Sequence, residues 1–218
     1  MTFYSTKNIY SFSDIELHSA FLQNATLKNW FAMSVQLLKR QFTVKEYNKM
    51  PEVGILKEDE RVELIRGEIL KMSPVGRHHA ACVNRLTRLF SQKLGDRVLV
   101  SVQNPVELDD YSEPEPDIAL LEIKADFYES GHPQSQDLFL IVEVADSTIK
   151  FDREVKVPLY AENNVIEVWL VDINEECLEV YRQPIGSGYK EVQKFERGEI
   201  VSVQGFPDIN IQVDEILG

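Results

Sequence analysis

Two carboxylates and one lysine occupy positions in the sequence where a charged side chain is unexpected and indicates a structural or functional role. Asp117 follows Pro116 at the start of a predicted strand, and Glu143 lies inside the apolar run of residues 138–144. Burying an ionised carboxylate is costly unless the group is paired or holds a cation. Lys156 follows Glu143 by 13 residues. Two acids that converge with a lysine form the arrangement that a metal-dependent phosphodiesterase needs.

The chemistry expected of this set is hydrolysis assisted by a divalent cation. On adjacent strands, Asp117 and Glu143 would hold a hard cation, Mg²⁺ or Mn²⁺, together with waters and a phosphate oxygen. The cation would polarise the phosphoryl group and generate hydroxide for in-line attack. Lys156 would stabilise charge on phosphorus or position the water. The alternative is structural: Asp117 caps a turn, and Glu143 and Lys156 form a buried ion pair.

The elements that must position these residues follow from the hydrophobic pattern. A short helix is predicted at residues 44–50, and residues 62–72 predict a hairpin that turns at Arg66 and Gly67. Residues 78–94 have the apolar spacing of an amphipathic helix. Strands are predicted next at residues 98–103, 117–122, 138–144 and 165–171.

A second helix is predicted between the last two of these strands, at residues 148–162. Asp152, Lys156 and Tyr160 recur every four residues in it and so share one face. The continuous apolar run at residues 138–144 is typical of a central strand that is covered on both faces. A helix packed beside that strand could bring Lys156 to Glu143.

The fold class predicted from this order is α/β, with a mixed central sheet flanked by helices. Beyond Asp172, residues 177–182, 189–195 and 199–203 predict short strands separated by turns. They indicate an added antiparallel β extension.

Composition limits the function classes. With 218 residues, 44% apolar and 27% charged, the chain can form one domain with a full core. No apolar run approaches the length of a membrane span, and we expect a cytoplasmic protein with two reduced cysteines, Cys82 and Cys177. The net charge of −13 is unlike the basic footprint of a general nucleic-acid coat protein. It still permits a nuclease in which a dimer or a local basic strip holds DNA.

The first 32 residues differ from the rest, because they are rich in Ser, Thr, Asn and aromatic residues and have no strand pattern. We expect them to be an N-terminal extension that is disordered or not native, with Met33 as the natural initiator. Residues 33–218 are predicted to form a single domain.

Taken together, several ordered motifs resemble the Uma2 family, also known as DUF820. This family of restriction-endonuclease-like proteins is abundant in cyanobacteria and belongs to the PD-(D/E)xK nuclease superfamily. Any one motif would be a weak signal, but their order and spacing over residues 41–205 are specific. The matching segments are residues 42–47, 62–68, 72–74, 103–105, 112–117, 142–148 and 167–172, with His79, Asp152, Lys156, Pro158, Leu159 and Tyr160.

The resemblance implies a restriction-endonuclease-like core, Mg²⁺ or Mn²⁺ as cofactor, DNA as substrate and a homodimer. In the superfamily pattern the lysine lies two residues after the glutamate, where this chain has Ala145. Lys156 on the following helix is the expected substitute. The resemblance therefore assigns Asp117, Glu143 and Lys156 as catalytic residues, with the first two as metal ligands.

Three residues that precede the predicted helix at residues 148–162 are candidates for accessory roles at the metal or the phosphate, each with a structural alternative. Glu68 is either a third acid near the metal or an exposed hairpin residue. Glu113 is either an outer acid or a polar residue of a Pro-rich turn. His79 could contact phosphate or assist proton transfer, although a histidine at a helix start more often caps or packs.

Three further candidates would act on the central residues. Gln103, at a strand end, is expected to orient the site water or the lysine. Asp152 and Tyr160 flank Lys156 on the face that they share, and Asp152 is better explained as a helix N-cap.

The leading functional hypothesis is a divalent-metal-dependent endonuclease that hydrolyses phosphodiester bonds in DNA. The alternative is a catalytically inactive nuclease-fold protein that binds DNA or regulates, which the acidic charge and the displaced lysine favour. A third hypothesis, a hydrolase of another phosphate or sugar substrate with an acid/base carboxylate pair, ranks last because no aromatic sugar platform is evident.

Overall fold

The computed structural model describes residues 39–57 and 59–218. The predicted extension at residues 1–32 and the predicted initiator Met33 lie outside the described residues. The fold described below occupies Gln41–Gly218. None of the helices described is long and apolar enough to cross a membrane.

The N-terminal part of this fold is a short helix followed by a hairpin. The helix α1 (Val44–Tyr47) is followed by turns where a longer helix was predicted. Strands β1 (Val62–Ile65) and β2 (Glu68–Lys71) pair antiparallel. The two turn residues between them have positive φ, 48° and 77°. This is the left-handed conformation that tight hairpins favour, as the sequence predicted.

The long helix α2 (Arg77–Leu94) covers one face of the central sheet. It ends at Gly95, and its buried stripe is the one that the apolar spacing predicts. These side chains pack with residues of the central strands in one continuous core. The buried members of the stripe are Cys82, Val83, Leu86, Leu89, Phe90 and Leu94.

The central sheet has six strands, whose spatial order is the same as their order in the chain. Only β5 and β6 are parallel; every other neighbouring pair is antiparallel. The fold class is therefore the predicted α/β fold with a mixed central sheet. The strands are β3 (Leu99–Val102), β4 (Ile118–Leu121), β5 (Leu138–Ala145), β6 (Glu167–Asp172), β7 (Cys177–Ile185) and β8 (Gly188–Phe195).

The parallel pair requires a crossover, and a helical segment provides it on the other face of the sheet. This segment consists of α3 (Ile149–Phe151), a π-helical turn (Asp152–Lys156) and α4 (Val157–Glu162). The sequence predicted one regular helix here. The π turn ends two residues before Pro158, whose ring nitrogen cannot donate a helical hydrogen bond, and irregular backbone hydrogen bonding is common near such a residue.

The antiparallel strands after β6 extend the central sheet, because β7 pairs with β6 and β8 with β7. A separate two-stranded sheet is formed by β9 (Ile200–Val201) and β10 (Ile211–Gln212). The last helix, α5 (Val213–Leu217), packs near α2.

Candidate active site

Asp117 lies directly before β4, where neighbouring strands fix its carboxylate. Oδ2 accepts a hydrogen bond from the backbone N–H of Val144 at 2.9 Å, because Ile118 is in register with Val142 on β5. Oδ1 accepts from Nε2 of Gln103 at 3.1 Å, and Nε2 of His79 lies 3.0 Å from Oδ2. Burial opposes ionisation, yet these hydrogen bonds, above all that of His79, hold the pKa of Asp117 below its usual value. Asp117 is therefore a fixed anion.

Glu143 is the buried acid of the central strand, with only 3% of its surface exposed. Its Oε1 lies 3.2 Å from Nζ of Lys156 and accepts a hydrogen bond from the hydroxyl of Tyr160. Burial raises the pKa of Glu143 to about 8, against the opposing charge of Lys156. The carboxyl group therefore favours the neutral form more than an exposed glutamate does, and a nearby cation would favour its ionised form.

Lys156 points into the same site from the π turn, as the sequence predicted for a lysine on the following helix. It is 4% exposed, and its Nζ lies 3.0 Å from Oε2 of Glu63 as well as close to Glu143. Burial alone would lower the pKa of Lys156, but the charges of Glu143, Glu63 and Asp152 hold it above the ordinary lysine value. The ammonium group is therefore a permanent cation between carboxylates.

Glu63, on β1, is a member of the site that the sequence analysis missed. All four residues of β1 are buried, and Oε2 of Glu63 also accepts a hydrogen bond from the backbone N–H of Glu115 at 3.3 Å. The sequence signal that could have identified Glu63 is the same as that for Glu143, namely an acid inside an apolar strand. Of the two alternatives for Glu68, the structure supports the exposed hairpin residue, because Glu68 is exposed on β2 and does not line the cleft.

The predicted stripe of the crossover helix is present, with a π turn in it. Asp152 accepts a hydrogen bond from the hydroxyl of Thr148 at 2.7 Å. The N-cap role expected for Asp152 is wrong, because Thr148 occupies the N-cap position and Asp152 is inside the helical segment. Burial raises the pKa of Asp152, with Lys156 opposing it.

His79 and Gln103 both contact Asp117. The capping alternative for His79 is wrong, since Gly76 is the N-cap of α2 and the imidazole lies against Asp117. The hydrogen bond to Asp117 raises the pKa of His79, although burial opposes it. Its Nδ1 is buried with no hydrogen-bond partner among the described residues. Gln103, with φ of 50°, orients Asp117 and not the lysine.

Glu113 lies apart from these groups. It is buried, accepts a hydrogen bond from Nδ2 of Asn48 at 3.1 Å and does not line the cleft. Its neighbour Glu115 does line the cleft, and burial raises the pKa of that carboxyl. In the Pro-rich turn, therefore, the second glutamate and not the first faces the candidate site.

The candidate site lies in a cleft of about 750 Å³. Asp117, Glu143 and Lys156, which we call the floor, line it together and are all nearly buried. Exposed residues of the loop between β2 and α2 and of the crossover helix also line it. Three separate elements thus bring two carboxylates and a lysine to one cavity.

Comparisons with known proteins agree with this architecture. The Uma2 family model, described as "Putative restriction endonuclease", matches residues 44–214. A crystal structure of "a putative nuclease belonging to DUF820 from Anabaena variabilis" is similar, with a TM-score of 0.62 and 18% sequence identity. That match covers 81% of this chain and 97% of the other. The comparison with curated proteins gives no match.

Proposed function

Because this chain belongs to the Uma2 family, we propose that it is a divalent-metal-dependent endonuclease that hydrolyses phosphodiester bonds in DNA. Asp117 and Glu143 would hold Mg²⁺ or Mn²⁺, and Lys156 would act beside them. The observation that carries the proposal is the position of Lys156, whose Nζ lies 3.2 Å from Oε1 of Glu143 in the cleft that Asp117 also lines. The similar nuclease fold and the family description support the reaction class.

The donor set fits a hard cation. It consists of carboxylate oxygens, and the contacts described at Glu143 all go to Oε1, so Oε2 is the oxygen open to a metal. No group of three His, Cys, Asp or Glu side chains that could hold a metal occurs in the part of the chain described. Mg²⁺ is commonly bound by one or two carboxylates, with waters and substrate phosphate completing its shell. A two-carboxylate site therefore suits Mg²⁺ or Mn²⁺ better than a metal that needs a closed protein cage.

The residues of the site would have different roles in phosphodiester hydrolysis. A bound cation supplies Lewis-acid polarisation of the phosphoryl oxygen and an acidified water. Asp117, fixed by three hydrogen bonds, keeps one ligand oriented without movement. Lys156, a permanent cation, would stabilise the negative charge that develops on the phosphate oxygens. Tyr160 and Glu63 hold Glu143 and Lys156 in place.

A second candidate function is the inactive one, in which the fold binds DNA or regulates. The specific observation in its favour is that Lys156 pairs with both Glu63 and Glu143. A lysine held between two carboxylates resembles a structural ion-pair network, and it would have to be redirected by the cation and the substrate to act on phosphate.

The homodimer stays a prediction, which light scattering on the purified protein would test.

Nicking of supercoiled plasmid DNA tests the proposal directly. We expect nicked circles with Mg²⁺ or Mn²⁺ and none with EDTA, and we expect Asp117→Asn and Glu143→Gln to abolish the reaction. Asp208→Asn and Glu176→Gln are matched controls, because both side chains are more than half exposed and lie outside the cleft. Nicking that survives both site substitutions would exclude this site. A folded wild type that is inactive with every metal and DNA form would favour the binding protein.

A further inference from the structure

The shape and lining of the cleft point to the form of DNA that it accepts. We propose that the site takes a single DNA strand, either free or extruded from a duplex, and that an intact relaxed duplex is a poor substrate. This inference rests on the proposed nuclease function and specifies its substrate class.

Burial of the floor is the first observation. Asp117, Glu143 and Lys156 are 9%, 3% and 4% exposed. The Lys150 side chain is 82% exposed, and Val75 is 43% exposed. We call these exposed lining residues the rim. A phosphodiester must therefore pass the rim to reach the carboxylates. A duplex is stiff over about 150 base pairs, whereas a single strand can bend to carry one phosphate inward.

Charge is the second observation. Seven of the side chains that line the cleft are carboxylic acids, and four are lysine or arginine. The whole chain carries a net charge of −13. A duplex carries one negative charge for about every 1.7 Å of its axis, and its binding depends on basic residues that replace counterions. A cleft with an excess of acids does not meet that need, but it can admit a short single strand whose phosphate is neutralised by the bound cation and Lys156.

Apolar side chains are the third observation. Most of them come from two separate segments, which we call the wall: Met72, Pro74 and Val75 in the loop between β2 and α2, and Phe151 and Val155 in the crossover helix. Among the residues described, no aromatic ring pairs with that of Phe151. Phosphate recognition does not need apolar walls. Unpaired bases do, because their faces stack on aromatic and apolar side chains.

Three cations around the cleft complete the arrangement. Lys71 and Lys150 are exposed and Arg61 is half-buried. Arg61 and Lys71 lie at the same end of the N-terminal hairpin, where the backbone N–H of Met72 donates to the carbonyl of Arg61, and Lys150 lies in the crossover helix. In a bound strand, these cations would contact phosphates that flank the one at the floor. Base stacking on the walls and a few phosphate contacts at the rim constitute single-strand recognition without sequence readout.

Matched DNA forms test this inference. We expect a labelled single-stranded oligonucleotide and a supercoiled plasmid to be cleaved at least about tenfold faster than the same sequences as relaxed duplex, because extruding a base from a duplex has a substantial free-energy cost. Fluorescence anisotropy of labelled oligonucleotides, with Ca²⁺ in place of Mg²⁺, should show a higher affinity for the single strand than for the relaxed duplex. Equal or faster cleavage of the relaxed duplex would overturn the inference.

Substitution of the wall provides a second test. Phe151→Ala should raise the KM for single-stranded DNA by about fivefold or more, since stacking of one base contributes a measurable share of the affinity. Phe151→Tyr, which keeps the ring, should behave as the wild type. Phe127→Ala is the matched control, because Phe127 is 66% exposed and lies outside the cleft. Unchanged KM and binding in Phe151→Ala would exclude the wall as a base-binding surface.

A small diester separates failure of this inference from failure of the proposed function. Bis(p-nitrophenyl) phosphate needs the floor but no strand recognition, and the wild type and the control Phe127→Ala should hydrolyse it at equal rates. If the wild type hydrolyses the small diester and prefers relaxed duplex, the nuclease function stands and the single-strand inference is wrong. If neither the small diester nor any DNA form is hydrolysed, both proposals fall.

Discussion

Nζ of Lys156 lies 3.0 Å from Oε2 of Glu63, and this ion pair ties the crossover helix to the N-terminal hairpin. Three of the six central strands lie between the two residues in sequence, yet each side chain is only 6% exposed. With Glu143 on β5, the pair forms a buried network of one cation and two carboxyl groups. The network positions the candidate catalytic lysine and holds three elements of the fold together.

Lys156→Met is expected to abolish plasmid nicking and to destabilise the protein. Removing the cation of a buried pair leaves carboxylates without their partner, which typically costs about 3–5 kcal/mol. Urea denaturation of the metal-free protein measures this loss in the free energy of unfolding. Lys150→Met is the matched control, because its side chain is 82% exposed and should change stability by about 0.5 kcal/mol or less. Equal stability of the two variants would contradict the network.

Tyr160→Phe is expected to lower the free energy of unfolding by more than Tyr47→Phe does. The hydroxyl of Tyr160 donates to the buried carboxyl group of Glu143, and a hydrogen bond to an ionised group contributes about 1.5–3 kcal/mol. The hydroxyl of Tyr47 donates at 2.9 Å to the backbone carbonyl of Val62, a neutral acceptor whose hydrogen bond contributes about 0.5–1.5 kcal/mol. Urea denaturation at pH 8.5 compares the free energies of unfolding of the two variants. A larger loss in Tyr47→Phe than in Tyr160→Phe would contradict the hydrogen bond between Tyr160 and Glu143.

The contribution of His79 to stability is expected to fall as pH rises. The hydrogen bond to Asp117 raises the pKa of His79 in the folded protein. A histidine with a raised folded pKa contributes stability that is complete below its unfolded pKa, about 6.5, and is lost as pH rises through the folded value. Wild type and His79→Gln should therefore differ more in urea denaturation at pH 5.5 than at pH 8.5, with EDTA present throughout. A difference that grows with pH would contradict the pair.

Much of the fold and the floor of the site could be predicted from the sequence, for identifiable reasons. Glu143 was found because a charge inside an apolar strand is costly, and Lys156 because its helix must pack beside that strand. The π turn was not predictable from side-chain spacing alone, since it arises from backbone hydrogen bonding. Glu63 was not predicted as a site residue, because the hairpin pattern indicates two strands and a turn but not which faces of β1 are covered, and burial on both faces depends on tertiary packing.

Gly67→Ala is expected to destabilise the hairpin that carries Glu63. The φ of Gly67 is 77°, and an added Cβ would lie 2.5 Å from Cβ of Gln41. A left-handed conformation alone costs an alanine about 1–2 kcal/mol, and the collision adds to it. Gly198→Ala is the control, because its φ is 83° but nothing lies within 4 Å of the added atom. Urea denaturation should therefore show the larger loss at Gly67; a larger loss at Gly198 would contradict the close approach.

Metal binding can be measured without catalysis, through its effect on thermal unfolding. A ligand that binds only the folded protein stabilises it by about 2.7 kcal/mol when its concentration is 100 times its Kd. We expect Mn²⁺ to raise the Tm of the wild type and of Asp208→Asn, and EDTA to reverse the rise. Asp117→Asn removes the charge of the fixed ligand, whose pKa lies below its usual value. Its Tm should therefore not respond to Mn²⁺. An equal response in Asp117→Asn and Asp208→Asn would place the metal elsewhere.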